Sequence, residues 1–105
     1  MQKVDPNRIF TLENAAEYRS QLLSKVVDSI KQVQGNEFGY GLRFSPESED
    51  LVLVSDWIQA ERICNPFLRF NLTVESNKGP ITCDLSGPSG TKNFLNSELG
   101  LNRWI

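Results

Sequence analysis

The chain has 105 residues, 39% hydrophobic and 23% charged, which suits one domain spanning residues 1–105 and excludes disorder or a fibrous repeat. Its net charge is −2, with Lys and Arg spread among acidic neighbours, so it lacks the basic stripe of a nucleic-acid binder and no nucleic-acid partner is expected. It has no histidine and only two cysteines, which removes the usual general base near neutral pH and any four-ligand Cys/His zinc site; no metal or cofactor is expected.

The opening stretch MQKVDPNRIF has neither an apolar h-region nor a small-residue cleavage site. No run approaches the length of a membrane helix. These features predict a cytoplasmic protein without membrane contact. Residues 8–12, RIFTL, read as a short first strand. The segment from Glu13 to Gly35 reads as a helix, because Tyr18, Leu22, Leu23, Val26, Val27, Ile30 and Val33 recur at three- and four-residue spacing. That pattern leaves Glu17, Arg19, Lys25 and Lys31 for solvent and places Gly35 at a left-handed cap.

A second strand follows in FGYGLRF, with Phe38, Tyr40, Leu42 and Phe44 on one face and Gly39, Gly41 and Arg43 on the other. Its two glycines fit a bulge or an edge strand, or else a face that admits a ligand or another backbone. Ser45 reads as an N-cap and Pro46 as the first residue of a second helix, with Glu47, Glu49 and Asp50 opposing the positive end of its dipole. Its apolar residues spread widely around the circumference, so it is expected to be largely buried, with a partner subunit as a candidate cover. Pro66 should stop it at Asn65.

Two further strands, FLRFNLTVE and ITCDLS, flank a short polar turn and predict an antiparallel hairpin. A last helix then carries Phe94, Leu95 and Leu99 inward. The expected fold is α+β, two-layered, in the order β-α-β-α-β-β-α, with a four-stranded mixed or antiparallel sheet and helices on one face.

The candidate site lies where the second helix meets the third strand. Glu61, Arg62 and Cys64 end the helix and Arg69 opens the strand. A thiolate at Cys64 is disfavoured by the negative helix end and by Glu61, so an inert cysteine is the expected state. A disulfide to Cys83 is disfavoured too, because the hairpin pairs Cys83 with residue 71 or 72, far along the strand from Cys64. Glu61 sits among apolar neighbours and needs a partner, for which Arg62, Arg69 and Arg43 are candidates. The reading favours an ion pair tying helix to strand over a polar anchor for a ligand. SGPSGTK fails the Walker pattern and is at most a weak anion-binding turn.

The stretches ERICNPFLRFNLTVE and GPITCDLSGPSGTKNFLNSEL resemble a family of small uncharacterised bacterial proteins with a Glu-Arg-x-Cys-Cys-Pro-Phe motif. Glu61, Arg62, Cys64, Pro66 and Phe67 match that motif, while Asn65 replaces its second cysteine. The resemblance covers about the last half of the chain and implies a bacterial cytosolic protein of unassigned activity. The expected function is a non-catalytic domain that binds a small molecule or a partner, including a second copy of itself. The alternatives are an enzyme using Glu61 with Arg62 and Arg69 on an anionic substrate, or a thiol or soft-metal accessory protein built on Cys64.

Overall fold

The computed structural model describes residues 14–104. The strand expected over residues 8–12 lies outside them. In chain order come helix α1 (Ala15–Ser29), strands β1 (Gln32–Gly35) and β2 (Gly39–Phe44), helix α2 (Ser48–Cys64), strands β3 (Arg69–Val74) and β4 (Ile81–Ser86), helix α3 (Thr91–Leu99) and a 3₁₀ turn (Leu101–Trp104). The strands form one antiparallel sheet in the order β1-β2-β4-β3, so the α+β class and a four-stranded sheet are as expected.

The first helix is shorter than its periodicity predicts. Ile30 turns extended and the Lys31 N–H donates to the Arg43 carbonyl, which pulls residues 32–35 into the sheet as β1. Val33 fits a helical period, but it pairs with Leu42 and is buried there. Helix α2 also starts later than expected. Ser45 lies outside it, donating to Asp50 Oδ2 at 2.7 Å while accepting from the Glu47 N–H. The helix ends at Cys64, as Pro66 requires.

Alternation along the strands sorts the two faces of the sheet. Tyr40, Leu42 and Phe44 on β2 and Ile81, Cys83 and Leu85 on β4 join one core with Val26 and Ile30 of α1, Val54 and Trp57 of α2, and Leu95 and Leu99 of α3. Trp57 is fully buried and meets Phe70 edge-on, with ring centroids 6.0 Å apart. The intervening positions carry polar side chains or, at Gly39 and Gly41, none.

β2 is a central strand in continuous register with both neighbours, so its glycines mark neither an edge nor a bulge. A side chain at Gly39 would overlap the Leu85 carbonyl oxygen. Another backbone approaches there, which only glycine permits. Asn77 and Lys78 both have positive φ, and the Gly79 N–H donates to the Ser76 carbonyl, making a type I′ turn between β3 and β4. Leu72 pairs with Cys83, one of the two partners the sequence allows.

Candidate functional site

The four residues singled out at the α2–β3 junction do not converge. Glu61 is 2% exposed and faces α1. Its partner is Arg19, whose Nε lies 2.9 Å from Glu61 Oε1, while Arg19 Nη2 donates to Glu98 Oε1 at 2.7 Å. Asn65 Nδ2 donates to the same Glu61 oxygen at 2.6 Å. Arg62, Arg69 and Arg43 therefore do not pair with Glu61, and Arg19 is not left to solvent. Burial by itself lowers the Arg19 pKa, but the hydrogen bond and charge of Glu61, then those of Glu98, outweigh it and hold the guanidinium above its ordinary value.

Arg62 is exposed beside an apolar groove between α2 and β3, lined by Ile58, Leu68, Phe70 and Leu72. Arg69 points from the other face of the sheet, where it shares a second groove with Phe38, Asn71 and Asp84. Cys64 is half-buried and unbridged. Cys83 is buried in the core, where burial and then the charge of Asp84 push its thiol up to about 12. Among the described residues no group of three or more Cys, Asp or Glu is placed to hold a metal ion. At the glycine turn before α3, Thr91 donates to the Pro88 carbonyl and Lys92 lies over the Tyr40 ring, 5.2 Å from its centroid.

The polar face of the sheet offers a better-formed site. Cross-strand register sets three rows there: Gly39, Ser86 and Arg69; Gln34, Gly41, Asp84 and Asn71; Gln32, Arg43, Thr82 and Thr73. At the centre Gly41 leaves a gap in the layer of side chains. A Cβ there would stand 2.7 Å from Asp84 Oδ1, so the Asp84 carboxylate leans across β2 into the space a side chain would fill. The groove over it has a volume of ≈ 430 Å³, and Gln32, Gln34, Asn36, Arg43 and Thr82 line it with Asp84. Asp84 takes no side-chain hydrogen bond or ion pair from a described residue. Arg43, a diagonal neighbour within reach, turns instead to Gln32, Nη1 donating to Oε1 at 3.2 Å.

The sequence reading did not single out Asp84. The signal was the pair of glycines in β2, for which a face open to a ligand was one reading, without the strand beside it being drawn in. No helix among the described residues is long and apolar enough to cross a membrane. No family model matches this chain, and neither the curated proteins nor the solved structures contain a match to it.

Proposed function

We propose that this chain is a non-catalytic binding domain that takes a small polar ligand on the open polar face of its sheet. The observation that carries this reading is the Asp84 carboxylate, drawn over Gly41 into a groove lined by amides and an arginine, yet unpaired among the described residues. A partly buried carboxylate without a donor bears a desolvation cost that a ligand N–H or O–H offsets.

The reading as an enzyme using Glu61 has less support. An acid or base must reach the proton it moves, and Glu61 is enclosed by Arg19 and Asn65 with Arg62 and Arg69 on different surfaces. A thiol or soft-metal role for Cys64 has less support too, since no metal-ligating group forms among the described residues and Asn65 occupies the place of a second cysteine. Cytoplasmic residence belongs to the same proposal and is supported by the two unbridged cysteines. So does membership in the bacterial family that the second half resembles, which rests on the match of Glu61, Arg62, Cys64, Pro66 and Phe67 to its motif.

The test is titration of ¹⁵N-labelled protein with small polar metabolites. Shifts of the Gly41, Arg43 and Asp84 amides that vanish in Gly41→Val, whose side chain would fill the groove floor, support the reading. A library that moves none of these amides overturns it.

Self-association is a second reading, favoured by Val52, 55% exposed on α2, and by the apolar groove beside that helix. Sedimentation across a concentration series should then show a dimer that Val52→Lys abolishes.

A further inference from the structure

The charges around the Gly41 gap restrict what the groove can hold, and this inference rests on the binding face proposed above. Asp84 stands opposite Gly41, Arg43 opposite Thr82 and Arg69 opposite Ser86. One carboxylate thus has a guanidinium at the diagonal position on either side. Diagonal neighbours in a sheet are close enough for long side chains to meet. Yet neither arginine comes within ion-pair distance of Asp84, and Arg43 is held to Gln32 instead.

A simple anion entering this gap would meet the Asp84 carboxylate, and a simple cation would meet Arg43. An uncharged solute would leave both charges without a counterpart. We propose that the groove binds a free α-amino acid as its zwitterion. Its ammonium donates to Asp84 and to the side-chain carbonyl of Gln34, in the same row of the sheet, and its carboxylate accepts from Arg43. The ligand completes the bridge between Asp84 and Arg43 that the protein does not make itself. Charge-assisted bonds at both ends make the site selective for a molecule carrying the two charges close together. The volume of ≈ 430 Å³ lies at the small end of ligand sites and suits such a molecule. No covalent step is involved.

The test is calorimetric titration of the full chain with the common free L-amino acids at millimolar concentration, followed by amide mapping. The tightest of them is then compared with its decarboxylated amine and its deaminated acid. The expected result is saturable binding mapped to Gly41, Arg43 and Asp84, weakened by about tenfold or more in each truncated compound. Asp84→Asn, which keeps the side-chain shape, and Arg43→Gln, which removes the guanidinium, both at positions outside the core, should each weaken it by a similar factor. Binding of the amine or the acid as tightly as the amino acid overturns the zwitterion. So does failure of every amino acid while a neutral solute still moves the same amides, an outcome that leaves the binding face standing. Silence of those amides toward every solute overturns both.

Discussion

Arg19 Nε lies 2.9 Å from Glu61 Oε1, so the buried carboxylate near the end of α2 is neutralised from α1 rather than from its own neighbourhood. Removing one member of a buried pair strands the other charge. Arg19→Met should therefore destabilise the protein by about 3–5 kcal/mol, while Arg19→Met with Glu61→Leu should restore most of that loss. Urea midpoints of the two single variants and the double variant measure the coupling directly.

Asn65 closes the same oxygen from the other side, with Nδ2 at 2.6 Å. Asn65→Ala removes a bond to a charged group and should cost about 1.5–3 kcal/mol. Asn65→Cys should cost nearly as much, because a thiol is a weak donor. Equal urea midpoints for Asn65→Cys and the wild type would show that the amide is not what matters there.

The thiols should separate cleanly. A thiol reagent at neutral pH should label Cys64, half-buried at a helix end, and reach Cys83 only on unfolding. Cys64→Ser should abolish labelling of the native protein. Cys83 also ties stability to alkaline pH. Its folded pKa is raised to about 12 from an ordinary 9.0, so above pH 9 the unfolded chain releases a proton that the folded chain keeps. Stability is then unaffected by this group below pH 9 and falls by about 1.4 kcal/mol per pH unit as the pH rises toward 12. Cys83→Ala should flatten that limb of the denaturation profile.

The β3–β4 turn holds a lysine in a conformation suited to glycine, with Lys78 at φ 56°. Lys78→Gly creates the Asn-Gly pair that type I′ turns favour and should stabilise the hairpin by about 0.5–1 kcal/mol. The melting temperature reports it. No gain would mean that the extra freedom of glycine in the unfolded chain cancels the relief.

At Gly39 the direction reverses. A methyl group there would overlap the Leu85 carbonyl oxygen, which the β2–β4 ladder fixes in place. Gly39→Ala should cost about 3 kcal/mol or more, at the upper end of single substitutions. Hydrogen exchange should show the loss concentrated in β2 and β4.

These sites differ in how far the sequence discloses them. The hairpin is a local matter, and Asn77-Lys78 between two alternating runs narrows the partner of Cys83 to residue 71 or 72, of which the structure selects Leu72. β1 is hidden because Val33 satisfies two periods at once. It lies three residues after Ile30, as a helix wants, and its neighbours Gln32 and Gln34 alternate with it, as a strand wants. The tie is broken only by the edge of β2, which local spacing does not contain. Glu61 announces its need for a cation through its apolar surroundings, but the nearest arginines in the sequence are the wrong ones. Arg19 sits on a helix face that reads as solvent-exposed and is 15% exposed only because α2 packs against it. The gap over Gly41 is legible as two glycines, and its meaning depends on Asp84, which register alone brings alongside.

The strand order has a kinetic consequence. β1 with β2, and β3 with β4, are hairpins closed by short connections, whereas the central seam joins β2 to β4 across the whole of α2 and β3. Hairpins are local, but the seam must also offset the entropy of closing a long connection. The β2–β4 seam carries the long-range contacts of the sheet, so substitutions along its facing rows should slow folding more than equally costly ones at either outer strand, a difference that chevron kinetics measure.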